Sequence, residues 1–274
     1  MEFMRNRLAK DAAAIAQLGK CQTVVDVFDV QFCYARDTFA HVREARVEIA
    51  AGGVRVEGEL AIPAHARGVV LFAHGSGSSR RSPRNRRVAS ELMHADVGTL
   101  LFDLLTPEED RDYSMRFDIP LLSSRLVAAT EWVGQEAAAR NLPLGYFGAS
   151  TGAAAALVAA AELGSRIGAV VSRGGRPDLA GVDALGQVTA PTLLIVGGED
   201  HNVIALNRQA YARLKWQKAI QIVPGATHLF EEPGKLDRVA EQASECFCRW
   251  FPSPAAAGGP QPTFTIAQSL RSRH

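Results

Sequence analysis

Short, mostly apolar runs recur along this chain with helix-forming sequence between them, and no other feature narrows the possible folds so far. The runs are Gly68 to Ala73, Thr99 to Leu105, Leu144 to Ala149, Ile167 to Ser172, Thr192 to Val196 and Ala219 to Val223. Each is apolar at consecutive rather than alternate residues, with Asp103 near the carboxyl end of the second and Gln221 inside the last, the pattern of a strand buried on both faces. Between them lie helix patterns. One opens with Ser82 as N-cap and Pro83 at the first helical position. The others are an amphipathic stretch from Leu121 to Arg140, an Ala-rich stretch from Thr151 to Gly164, Asn202 to Leu214, and Pro233 to Phe251. Ahead of the first run, Val47, Ile49, Val54, Val56 and Leu60 alternate around Gly52-Gly53, as in a β-hairpin. The fold class expected is α/β: a mostly parallel, doubly wound sheet flanked by helices, with any site in the loops beyond the carboxyl ends of the strands.

The ends of the chain read differently. Residues 1–44 form an N-terminal extension with helix formers over Leu8 to Leu18 and a loose alternation over Val24 to Val30. Residues 45–251 carry the α/β pattern. Residues 252–274, Pro/Ala/Gly-rich and then polar, read as a flexible tail. A formal net charge of +1 with 22% charged residues gives no reason to expect a nucleic-acid or anionic-membrane partner. No apolar stretch is long enough to span a bilayer, and the charged N-terminus does not resemble a secretory signal. Cys21, Cys33, Cys246 and Cys248 form no C-x-x-C motif and are expected to be reduced thiols in a cytoplasmic protein. No His/Cys/Asp/Glu spacing suggests a metal site, and no cofactor is expected.

The strand Leu144 to Ala149 runs into Gly148-Ala149-Ser150-Thr151-Gly152, a match to G-x-S-x-G followed by small-residue helix. Such a turn between strand and helix holds the serine hydroxyl above the sheet in a strained backbone conformation, and side chains at either glycine would collide across the turn. A serine needs a base, and the base needs an acid to fix its tautomer. Asp200 follows the strand Thr192 to Val196, and His228 follows the last strand, so the chain supplies Ser150, Asp200 and His228 in the order Ser, acid, His. Glu199 and Asp178 are rival acids; His201, His74 and His94 are rival histidines. An oxyanion formed at Ser150 needs donors, expected from the backbone N–H of Thr151 and, in the Gly/Ser-rich loop His74 to Arg80, from Ser76. His74, Arg80, Arg173 and Arg176 stand in the same layer of loops as candidate substrate contacts, the arginines for a carboxylate or other anion; arginines in such places also tie loops together.

The segments Gly68 to Glu109, Gly145 to Ala160, Ser172 to Gly181 and Gly225 to Gly234 resemble the dienelactone hydrolase family of α/β hydrolases, and in particular a branch whose members often follow a phosphoribosyltransferase domain. The resemblance covers residues 45–251 and implies the α/β-hydrolase fold, with Ser150 as nucleophile, Asp200 as acid and His228 as base. The family is known for cysteine at the nucleophile position, and serine there points to ordinary esters. Residues 1–44 are too short for a phosphoribosyltransferase, and that activity is not carried over. The expected activity is hydrolysis of small carboxylic esters or lactones through an acyl-enzyme. The alternatives are an acyltransferase with the same triad and a non-catalytic ligand-binding module on the same fold.

Overall fold

The computed structural model describes residues 42–252. The expectations for Leu8 to Leu18, Val24 to Val30 and the tail beyond Pro252 lie outside the described residues. Within them one eight-stranded sheet runs in the order β1-β2-β4-β3-β5-β6-β7-β8. β1 (Val42–Ala51) and β2 (Val54–Pro63) form an antiparallel hairpin that pairs with β4 (Gly98–Phe102), also antiparallel. The other strands are parallel: β3 (Val69–Ala73), β5 (Leu144–Ala149), β6 (Ile167–Arg173), β7 (Thr192–Gly197) and β8 (Lys218–Val223). The hairpin turns on Gly52 and Gly53, with φ of 58° and 85°, the left-handed pair that a two-residue turn between twisted strands demands.

Two helices cover one face, α1 (Pro83–His94) and α6 (Lys235–Trp250), burying Val88, Leu92, Val239 and Phe247 against Val70, Phe72, Phe147 and Val171. The other face is covered by α2 (Ile119–Gln135), α3 (Thr151–Leu163), α4 (Val182–Gln187) and α5 (His201–Arg213). α3 is the central helix. Ala153, Ala154, Ala155, Ala156, Ala159 and Ala160 are all fully buried, so the helix is apolar all round and approaches the sheet closely, as a core helix must.

Two boundaries differ from the sequence expectation. α2 starts at Ile119 because the Asp118 carboxylate accepts the Leu121 N–H at 2.9 Å, and it ends at Gln135 because Glu136 turns extended. The charged stretch 106–118 holds two 3-10 turns, Glu109–Arg111 and Tyr113–Phe117. Arg125 of α2, 3% exposed on its side chain, pairs with Glu109 at 2.7 Å and donates to the Ala51 carbonyl, binding this loop to the hairpin.

β3 leads outward through α1 to β4, and the chain then crosses back over α2 to β5 on the other side of β3. The crevice above β3 and β5 is therefore the point where the winding reverses, the usual place for a ligand in an open α/β sheet.

Candidate active site

Ser150 lies between β5 and α3 with φ 50° and ψ −119°, a conformation that costs on the order of 1–3 kcal/mol in a non-glycine residue. The neighbours hold it there. Its N–H donates to the Arg173 carbonyl at 3.3 Å, and its carbonyl accepts from Ala153 and Arg176 N–H groups at 3.1 and 3.0 Å. The two glycines of the motif are required by space. A Cβ at Gly148 would lie 2.5 Å from the Ala153 Cα, and one at Gly152 would run into the Ala73 carbonyl and lie 2.5 Å from the His74 carbonyl oxygen.

Asp200 follows β7 in a tight turn: its N–H donates to the Gly197 carbonyl at 3.1 Å, and the neighbouring Glu199 N–H reaches across to Ala226 at 3.0 Å. This binds the acid's turn to the loop after β8. That loop has its own anchors. Phe230, with φ 59°, inserts its ring into the core at 1% exposure. Glu232 accepts the Thr227 N–H at 3.0 Å, and this bond holds its carboxyl below the usual range. The outcome is a short hydrogen bond between His228 Nδ1 and Asp200 Oδ2, 2.6 Å. Nδ1 therefore carries the donated proton, and Nε2 presents a lone pair. The His228 ring stands beside Gly174, where a Cβ would lie 3.6 Å from its Cε1; Gly174 follows the residue whose carbonyl holds Ser150. The rivals are placed elsewhere: Asp178 is engaged by Arg176, and Glu199 and His201 are exposed.

The loop after β3 contributes Ser76. Its N–H donates to Thr151 Oγ1 at 3.0 Å, so the loop is bonded to the residue after Ser150. The Thr151 N–H, at the first position of α3, has no acceptor among the described residues, as expected for a helix N-terminus.

The four candidate substrate contacts differ from one another. His74 is buried, accepts the Leu104 N–H on Nε2 at 3.0 Å and donates from Nδ1 to the Gly75 carbonyl at 3.1 Å. Both ring nitrogens are spent, Nε2 joining the ends of β3 and β4 and Nδ1 on the neighbouring carbonyl, and burial pushes its pKa down. Arg80 pairs with Asp103 and Glu57. Arg176 forms a two-pronged pair with Asp178, at 2.9 and 2.8 Å, which raises its pKa. Arg173 is different. It is 6% exposed, its Nε has no hydrogen bond, and no carboxylate pairs with it among the described residues. Burial, reinforced by the nearby Arg84, pushes its pKa down to about 10.

The sequence reading missed several residues here. Arg116, paired with Asp110 at 2.8 Å, comes beside Gly77 of the β3 loop. Glu232 braces the His228 loop, and the Thr151 hydroxyl takes the Ser76 N–H. Cys246 and Cys248 lie in α6, and burial pushes the Cys246 thiol up to about 12, so neither is an activated nucleophile. Among the described residues no His/Cys/Asp/Glu group could hold a metal ion, and no helix is long and apolar enough to cross a membrane.

A family model described as an alpha/beta hydrolase domain matches residues 66–249. The solved dienelactone hydrolase from Anabaena variabilis ATCC 29413 is 55% identical, superposing over 77% of this chain and 100% of its own with a TM-score of 0.75. The chain belongs to the dienelactone hydrolase-like α/β hydrolases. Est1E from Butyrivibrio proteoclasticus, at 15% identity over 73% of this chain and 96% of its own, with a TM-score of 0.62, shares the fold. A putative phosphoribosyl transferase of Mycobacterium tuberculosis H37Rv is 56% identical over 219 residues, 80% of this chain and 48% of that protein. This hydrolase chain thus spans about half the length of the curated relatives it matches.

Proposed function

We propose that this protein is a serine hydrolase that cleaves small carboxylic esters through an acyl-enzyme, with Ser150 as nucleophile, His228 as general base and Asp200 as the acid that orients it. The observation that carries this reading is the 2.6 Å bond from His228 Nδ1 to Asp200, with the His228 ring against Gly174, next to the residue whose carbonyl holds the strained Ser150. His228 Nε2 takes the Ser150 proton as Oγ attacks the ester carbonyl. The oxyanion is stabilised by the Thr151 N–H and by the loop carrying Ser76. Collapse expels the alcohol, which takes its proton from His228, and water activated by the same histidine releases the acid. Arg173, which no carboxylate pairs among the described residues, is the candidate contact for an anionic group on the substrate; His74, Arg80 and Arg176 are committed to partners within the protein.

The test is turnover of p-nitrophenyl acetate and butyrate by wild type and Ser150→Ala. Ser150-dependent hydrolysis supports the reading; equal rates in the variant would overturn it. Product partitioning toward an added alcohol or thiol would move the assignment to acyl transfer.

A further inference from the structure

One peptide unit of the loop after β6 is gripped on both sides. The Gly175 carbonyl accepts from Asn207 Nδ2 at 2.9 Å, and the Arg176 N–H donates to the Ser150 carbonyl at 3.0 Å. That carbonyl and that N–H belong to the same planar group, so neither can turn without the other. The Ser150 carbonyl in turn shares a plane with the Thr151 N–H. Hydrogen bonds and rigid peptides thus run without a break from the Asn207 amide to the N–H that follows the nucleophile. Asn207, in α5, is fully buried. Its Nδ2 also donates to the Val203 carbonyl at 2.8 Å, and two carbonyl neighbours fix the amide with its NH2 group toward them. Its Oδ1 has no hydrogen bond among the described residues, a cost to the fold that an apolar side chain of the same shape would avoid. The loop it holds is closely packed: a Cβ at Gly175 would run into Ser172 Oγ and lie 2.6 Å from the Ala153 Cβ.

We propose that Asn207 is a positioning residue for the reaction: through the Gly175–Arg176 peptide it sets the angle of the Ser150–Thr151 peptide, and so the direction of the Thr151 N–H. The inference rests on the Ser150 hydrolase reading, in which that N–H stabilises the oxyanion. Ser150 stands at φ 50° and ψ −119°, and ψ is the torsion that turns its carbonyl and the following N–H together. The carbonyl has two donors. The Ala153 N–H comes from within α3, at 3.1 Å, and the Arg176 N–H ties it to a separate loop. Asn207 holds that loop from the far side. A small rotation of the Ser150–Thr151 peptide leaves room for the ester to bind but turns the N–H away from the charge that develops on the carbonyl oxygen. The loss therefore falls on the transition state and not on the bound ester.

Asn207→Leu keeps the bulk and removes both bonds. Asn207→Ser keeps a hydroxyl that can reach the Val203 carbonyl one turn back, as helix serines do, and removes the bond to the loop. Active sites are counted by labelling to completion with a fluorophosphonate, so kcat is read per reactive serine whatever fraction of a variant folds. With p-nitrophenyl acetate, kcat per site is expected to fall about 10- to 100-fold in both variants, the scale of a misplaced catalytic group, with KM within about threefold. Binding of a trifluoromethyl ketone, which forms a tetrahedral adduct on the serine, is expected to weaken by the same factor. Wild-type kcat per site in both variants, with fewer sites labelled, would overturn the inference and leave Asn207 a purely structural residue. So would a loss confined to one variant, which would assign the effect to packing or to the bond within α5, or a rise in KM alone. In each of those cases Ser150-dependent turnover by the wild type leaves the hydrolase reading intact. Absence of that turnover removes both.

Discussion

Arg173 is held in the fold at a cost, and its replacement should make the protein more stable. Its guanidinium lies 5.9 Å from the Phe230 ring centroid, and Nη1 reaches the Leu229 carbonyl at only 3.5 Å. Its cationic neighbour, Arg84, is itself paired with Glu231 at 2.8 Å. The pKa of about 10 stands more than two pH units below the free guanidinium value; at about 1.4 kcal/mol per pH unit the folded state disfavours this charge by roughly 3 kcal/mol. Against that stand a ring contact of about 1 kcal/mol and a long hydrogen bond of about 0.5 kcal/mol. Arg173→Met keeps an unbranched apolar side chain and sheds the charge, so it should raise stability by about 1–2 kcal/mol, or about 3–6 °C in Tm. The folded pKa lies below the unfolded one, so the unfolded chain holds the extra proton above about pH 10. The penalty is therefore complete below pH 10 and is relieved only above it, and urea unfolding at pH 7.5 reads all of it. Arg173→Lys, which keeps a charge in the same place, should give no gain. A midpoint for Arg173→Met lower than wild type by 1 kcal/mol or more would refute the reasoning, because it would mean that the buried charge is fully compensated.

Three further outcomes follow from the site. His74 must be neutral to accept the Leu104 N–H, and burial depresses its pKa below 6.5; the unfolded chain therefore protonates first, and this contribution, present above pH 6.5, is lost as pH falls below it. The fall in urea midpoint from pH 7.5 to pH 5 should be smaller in His74→Gln, and an identical fall would count against the assignment. Gly152→Ala forces a methyl group onto the backbone carbonyls of Ala73 and His74 and should cost about 3 kcal/mol or more in chemical denaturation; a wild-type midpoint would contradict the close approach of α3 to β3. Asp200→Asn should lower kcat about 10³–10⁴-fold while the protein stays folded, and a loss of less than tenfold would remove Asp200 from the mechanism.

The parallel strands were legible because burial on both faces leaves an apolar run in the sequence, as in Val69 to Ala73 and Thr192 to Val196. The elbow was legible because the turn itself demands a small residue at Gly148, against Ala153, and the close approach of α3 to the end of β3 demands one at Gly152. The pair Asp200–His228 was legible from position alone, each residue following a strand end. What sequence could not show are contacts made by topology. Arg80 was open as a substrate contact until the hairpin brought Glu57, and β4 brought Asp103, against it. The Ser76–Thr151 bond joins residues 75 apart and leaves no periodic trace. The start of α2 depended on a single cap, Asp118, inside a polar stretch that suits a loop equally well.

The central pairing of β3 with β5 bears on how the protein acquires its activity. The bond that joins their two loops spans 75 residues, with α1, β4 and α2 in between. Contacts this distant in sequence close late and slowly. A partly folded chain in which β3 and β5 have not yet paired holds Ser150 without the β3 loop beside it. Recovery of ester cleavage after dilution from denaturant should therefore lag behind recovery of helix content, and the length of that lag measures the closure of β3 on β5.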